Sequence, residues 1–277
     1  MTKILLQTTI PHTEDDWHIG RFSLLRHELA SMDGVEVTAR NRAAGGDDPV
    51  LSTLGTSDYD QLWLFGVDNG KGITDADCAG ITAFAKRGGA ILAARDHHDC
   101  GSSICVLGGV GAAHFFHSRN VNPDPSRHQR DDPYNRDIDW PNYHSGNNGD
   151  YQRIIAAPHP LLERDNGTAI QWFPAHPHEG DVGIPPGEKA ANVIAFGTSK
   201  ATGRDFNLIV ALKATPDRGH ALAHSSFHHF CDYNWDTSSG CPSFVEEAPG
   251  DELKRWPERL GDVKTYVRNA VWWLSSR

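Results

Sequence analysis

The chain has 277 residues, 38% of them hydrophobic and 22% charged, which is the composition of an ordinary globular protein with ample core. Its 26 basic and 36 acidic residues leave a formal charge of −10, which argues against non-specific nucleic-acid binding and against an anionic membrane surface. Met1–Ile10 is too short and too polar for a signal segment, and no run approaches the roughly 20 apolar residues of a membrane span, so a cytoplasmic protein is expected.

Lys3–Ile10 reads as a first strand, followed by the polar loop Pro11–His18. Phe22, Leu25, Leu29 and Met32 then fall on one face of a helix that Asp33-Gly34 stops. Val35–Ala39 is a second strand and Asp60–Gly66 a third, buried one. Thr74 with Asp77 forms a capping box for a helix presenting Ile81, Phe84 and Ala85. After Gly88-Gly89 comes the strand Ala90–Ala94, with a short helix expected from about Ser102 to Leu107.

Residues from about His114 to Asp150 are polar and aperiodic, with Phe115, Phe116, Tyr134, Trp140 and Tyr143 arguing for order. A loop of this length in a compact domain is usually a lid or binding loop. Further strands are expected at Ile170–Phe173, Ala191–Gly197, Leu208–Leu212 and Ala221–Ser225, with a hairpin around Arg204-Asp205. A last helix spans Val263–Leu274. Trp272 and Trp273 cannot both face the core from it, which marks one of them as a candidate contact in a homo-oligomer. There is no internal repeat or linker, so residues 1–277 read as a single α/β domain with an insert at about 114–150.

The most informative segment is Arg95-Asp96-His97-His98-Asp99-Cys100, six ionisable residues directly after a buried strand. In open parallel sheets, ligands bind beyond the carboxyl ends of the strands. Other strand-end loops carry His12, Asp15, Asp16 and His18; Asp68 and Asn69; His176, His178 and Glu179; and His224, His228 and His229. Sixteen histidines stand against roughly six at average usage, which points to acid–base work or a metal. Neutral imidazoles at His176 and His178, or at His224 with His228, suit a divalent metal such as zinc, completed by Asp96, Asp99 or Glu179.

Asp96 is a candidate base or metal ligand, with Arg95 beside it to orient a polar substrate. Cys100, before an expected helix N-terminus, is a candidate thiolate or an ordinary small residue there. The five cysteines are an odd count without C-x-x-C spacing, which argues against a disulfide framework and against a four-cysteine zinc knuckle. The acidic stretch at Glu246-Glu247 and Asp251-Glu252 reads as a solvated loop.

The succession of strand, helix, YDQLWLFG, capped helix and FAKRGGAILAARDH resembles the class I glutamine amidotransferase-like superfamily. His159-Pro160-Leu161-Leu162, the segment Arg218–Ser225 and Asn269–Trp273 are similar to ThuA-like (trehalose-utilisation type) proteins. The resemblance leaves out the insert. It implies a flavodoxin-like parallel sheet with helices on both faces and a site after Ala94. It also places Arg95 or Asp96 where amidotransferases carry a nucleophilic cysteine, so glutamine hydrolysis is not expected. His18 and His224 fall where site histidines of ThuA-like proteins are expected, which hints at carbohydrate-related substrates.

The expectation is therefore a small-molecule hydrolase, lyase or isomerase. Asp96, His97 and His224 would be catalytic, with His18, Asp68, Arg95 and Glu179 binding a polar carbohydrate-like or carbonyl substrate. His176 and His178 would hold the metal. A non-catalytic ligand-binding or assembly protein and a cysteine hydrolase using Cys100 are the alternatives.

Overall fold

The computed structural model describes residues 1–131, 135 and 137–276; Tyr134 of the insert lies outside them. Strands β1 (Thr2–Thr8), β2 (Val35–Arg40), β3 (Gln61–Phe65) and β4 (Ala90–Ala94) form the parallel half of the main sheet. Two short ribbons flank it. One pairs β5 (His114–Phe115) with β9 (Asp181–Val182), and the other pairs β6 (Tyr151–Arg153) with β8 (Trp172–Pro174). The remaining sheet strands are β7 (Ile155–Ala156), β10 (Ala191–Thr198), β11 (Asp205–Leu212) and β12 (Ala221–His224).

The sheet order is β2-β1-β3-β4-β12-β11-β10-β7, with every pair from β2 to β12 parallel and every pair beyond it antiparallel. The parallel part reproduces the 2-1-3-4-5 order of a flavodoxin-like sheet. The antiparallel part is an extension led by the β10–β11 hairpin that Arg204-Asp205 announced. The strand expected at Ile170–Phe173 runs from Trp172 to Pro174 and lies outside the main sheet, in the ribbon with β6.

Alternation along the strands explains the layering. Ile4, Leu6, Trp63, Phe65 and Leu92 face α1 (Ser23–Ala30) and α4 (Leu260–Ser275), packing on Leu25, Leu29, Val263, Val267 and Leu274. Leu5, Leu62, Leu64, Ile91 and Ala93 face the other way, onto Ile81 and Phe84 of α2 (Asp75–Lys86). Each such large apolar side chain contributes about 1.5–3 kcal/mol on burial. A fourth helix, α3 (Glu252–Arg255), is a single turn. The Thr74–Asp77 capping box is present, and Asp77 also takes the Asp48 amide and an ion pair from Arg42. Trp273 packs on His220, whereas Trp272 is exposed.

At the carboxyl edge, the end of β3 and the turn after β4 cross closely. A Cβ on Gly66 would stand 2.9 Å from the Gly101 Cα, and one on Gly101 would stand 2.5 Å from the Gly66 carbonyl oxygen. Gly101 also has φ of 80°, so both positions require glycine. This crossing fixes the loop that carries Asp96–Cys100. Beyond it the expected helix is only a five-residue 3-10 segment, Ser102–Val106. Among the described residues, no helix is long and apolar enough to cross a membrane.

Candidate metal centre at the carboxyl edge of the sheet

A cavity of about 400 Å3 opens beyond the strand ends. Its walls come from the loops after β1 (Asp16, Trp17), β3 (Val67, Asn69), β4 (Asp96, His97, Cys100) and β12 (His228). His176 and His178 follow β8, and Asn148, Asn135 and Ile138 come from the insert. Phe244, Val245 and Glu247 close one side.

Asp96 sits at the centre, almost fully buried. His97 Nδ1 lies 3.0 Å from Asp96 Oδ2, His176 Nε2 3.2 Å from Oδ1, and His228 Nε2 3.6 Å from Oδ2. The Ser226 hydroxyl donates to Oδ1 at 3.2 Å. The facing atoms of Asp96, His97 and His176 all lie within 4.8 Å of one another, a spacing that one metal ion can span. Despite their short distances, the His97 Nδ1 and His176 Nε2 atoms make no hydrogen bond of acceptable geometry among the described residues.

The tautomers follow from the hydrogen bonds behind the rings. The Ala175 carbonyl can only accept, so the group 2.9 Å from it on Asn234 is the amide nitrogen. That nitrogen also donates to Asn148 Oδ1 at 2.9 Å. Asn234 Oδ1 therefore faces His228 Nδ1 at 3.1 Å, and Asn148 Oδ1 faces His176 Nδ1 at 2.9 Å. Both imidazoles carry their proton on Nδ1 and turn an Nε2 lone pair toward Asp96. The two rings stack, with centroids 3.6 Å apart and planes 11° off parallel. Burial lowers His176 to about 4 and holds His228 well below the ordinary histidine range.

The other expected site residues divide. His178 lines the cavity and meets Glu247 through Nε2 at 3.1 Å; that bond leads among the causes lowering the Glu247 carboxyl to about 2. Glu247, read as part of a solvated loop, thus belongs to the cavity wall. The loop reaches there because the Ser243 amide and hydroxyl donate to Asp15 and the Gly250 amide donates to the Asn148 carbonyl.

His224 does not join the cavity. Its ring is buried in the core, 2.7 Å from the Tyr266 hydroxyl. Glu179 is fully buried beneath the site. Asp68 ties the chain together, accepting from the Gly70 amide and, at 2.7 Å, from the Ser103 hydroxyl. His18 accepts from the Gly20 amide and packs edge-on against His12, outside the lining. Arg95 is fully buried, with its guanidinium 4.1 Å over the Phe116 ring and donating to the His98 carbonyl. Burial lowers its pKa to about 10. A Cβ on Gly180 would lie 2.1 Å from Arg95 Nη1, so glycine there makes room for the guanidinium.

Of the two readings of Cys100, its surroundings favour the ordinary residue over the thiolate. Burial, with Asp96 and Asp68 nearby, raises its pKa well above the ordinary value, and the short 3-10 segment offers little dipole to oppose that. His228, expected as a possible ligand beside His224, reaches the cluster without it. Trp17, Asn148, Asn234 and Ser226 are functional candidates that no sequence pattern singled out.

The molecule is thus a flavodoxin-like α/β protein with an antiparallel extension and a histidine–carboxylate cluster at the strand ends. No family model and no curated protein matches its sequence. Among solved structures it is similar to the mmIFT52 N-terminal domain, with a TM-score of 0.53 and 12% identity over 100% of this chain and 98% of that one. A structure described as ThuA-like from Parabacteroides merdae has a TM-score of 0.49 and 13% identity, covering 99% of this chain and 90% of that one. The glutaminase domain of Trypanosoma brucei CTPS gives 0.47 and 13%, over 97% and 94%. At these identities the likeness concerns the fold, and the first of the three carries it.

Proposed function

We propose that the chain is a small-molecule enzyme whose cavity holds a divalent metal ion, such as zinc, on Asp96, His97 and His176, with His228 as a neighbouring nitrogen. The observation that carries this reading is the convergence of two Nε2 lone pairs and His97 Nδ1 on one buried carboxylate. A single proton can bridge one nitrogen to one oxygen and leaves the other lone pairs facing negative charge. A divalent cation satisfies them together. Asn148 and Asn234 hold the two rings in the ligating tautomer, as outer-sphere partners of metal-bound histidines do.

A metal bound here would polarise a substrate oxygen or acidify a bound water. The chain's own residues supply the rest. Glu247 fixes the His178 ring 5.2 Å from His97 and 5.4 Å from His176, centroid to centroid, so His178 faces the reacting space as a proton carrier. Asn69, Asn135 and Asn148 line the cavity with polar groups, while Trp17 and Phe244 line it with flat apolar ones. That lining suits a polar, carbohydrate-like or carbonyl-bearing substrate and a hydrolase, lyase or isomerase reaction.

Metal content of the full chain tests the reading. Purified protein equilibrated with Zn2+ and then desalted should retain about one ion per chain, and Asp96→Ala and His176→Ala should each lose it while staying folded. Folded wild-type protein that retains none would refute the reading.

A further inference from the structure

Glu179 was a candidate for substrate binding, but the structure puts it out of reach of the cavity, at the junction of the segments that carry the cluster. Its side chain is fully buried and accepts four hydrogen bonds. Ser145 Oγ at 3.0 Å, Gln152 Nε2 at 2.6 Å and His229 Nε2 at 3.1 Å reach Oε1, and Ser225 Oγ at 2.8 Å reaches Oε2.

Each donor belongs to a segment with a share in the centre. The Ser145 hydroxyl also accepts the His176 amide at 2.9 Å, and the Ser145 amide donates to the His176 carbonyl at 3.1 Å. Ser225 and His229 bracket Ser226 and His228, both of which face Asp96. Gln152 also donates to the Pro174 carbonyl at 3.1 Å, on the strand leading into His176. The main chain repeats the link: Glu179 exchanges two hydrogen bonds with Tyr143, and the Gly180 amide donates to the Ser225 carbonyl at 3.0 Å.

A buried carboxylate is an expensive way to fill space, because taking a charge out of water costs several kcal/mol before its partners offset it. A core requirement alone is met at lower cost by an apolar side chain. What an apolar residue cannot do is gather four donors from three chain segments onto two oxygens about 2.2 Å apart, a spacing set by covalent geometry. We infer that Glu179 is the positioning residue of the proposed metal centre. It sets the His176 segment against the Ser225–His229 segment, so that Asp96, His176 and His228 stand at ligating distances. The inference rests on the metal reading above and assigns Glu179 no contact with substrate.

Co2+ titration of the full-length chain, followed by its visible d–d spectrum, tests it. Glu179→Gln keeps the volume but presents a donor to a ring of donors. It should weaken Co2+ binding roughly 10–100-fold, the range for loss of an outer-sphere partner, and should alter the spectrum. Ser225→Ala removes a single arm and should give a smaller loss in the same direction. It serves as the deciding variant if Glu179→Gln does not fold. A purely structural role would lower the unfolding midpoint and leave Co2+ affinity and spectrum unchanged in the folded protein; that result overturns the inference while the metal reading stands. If the folded wild type itself binds no Co2+, the metal reading fails and the role of Glu179 falls with it.

Discussion

The tautomer lock behind the two stacked imidazoles depends on Asn234, so Asn234→Ala is the most diagnostic single change. Its amide donates to Asn148 Oδ1 and the Ala175 carbonyl, and its oxygen receives His228 Nδ1–H and the Cys231 thiol. Truncation strips the Ala175 carbonyl and His228 Nδ1–H of these partners in a buried setting. At about 1–3 kcal/mol for each unsatisfied group, the two losses amount to about 2–6 kcal/mol of stability. The His228 ring, released from its anchor, would populate the other tautomer, and metal affinity would fall by roughly 10–100-fold. Urea unfolding measures the first effect and a metal titration the second. Nitrogen-15 NMR of the imidazoles reads the tautomer directly. A wild-type His228 protonated on Nε2, or a stability loss under about 1 kcal/mol, would refute the reasoning.

Two further outcomes are expected. His114 is buried with Nδ1 2.8 Å from the Val110 carbonyl, and burial lowers its pKa to about 3. Because the unfolded chain binds this proton at about 6.5 and the folded chain does not, stability is fully present above that value. It declines between about 6.5 and 3 by up to about 1.4 kcal/mol per pH unit. His114→Gln should make the measured slope shallower in that window, and an unchanged slope would remove His114 from the account. Cys100, whose thiol burial and nearby carboxylates hold protonated, should react with iodoacetamide near neutral pH no faster than Cys78, Cys105 or Cys241. Preferential labelling of Cys100, read by peptide mass spectrometry, would contradict this.

The parallel half of the fold was legible because its signals are local. Buried strands are short apolar runs, the Thr74–Asp77 cap sits at fixed spacing, and glycine pairs mark the helix ends. The strand edge bearing Asp96 and His97 was legible for the same reason, since a polar burst directly after an apolar strand needs no partner to be seen. The ribbons at His114–Phe115 and Tyr151–Arg153 were not. Two or three residues carry no period, and their pairing depends on strands some 20 to 70 positions away.

The sequence by itself determined that histidines and carboxylates crowd the carboxyl ends of a parallel sheet. Which of them meet was decided by tertiary structure. His178 and His176 are two residues apart and turn to different partners, Glu247 and Asp96. His224 and His228 are four apart, yet one ring enters the core against Tyr266 while the other stacks on His176. Asn148 and Asn234, which orient the rings, are ordinary loop residues in the sequence and acquire their role only through a contact spanning 86 positions. Side-chain direction at a strand end, and the long-range hydrogen bonds that select a tautomer, arise from packing between loops, and no local pattern encodes them.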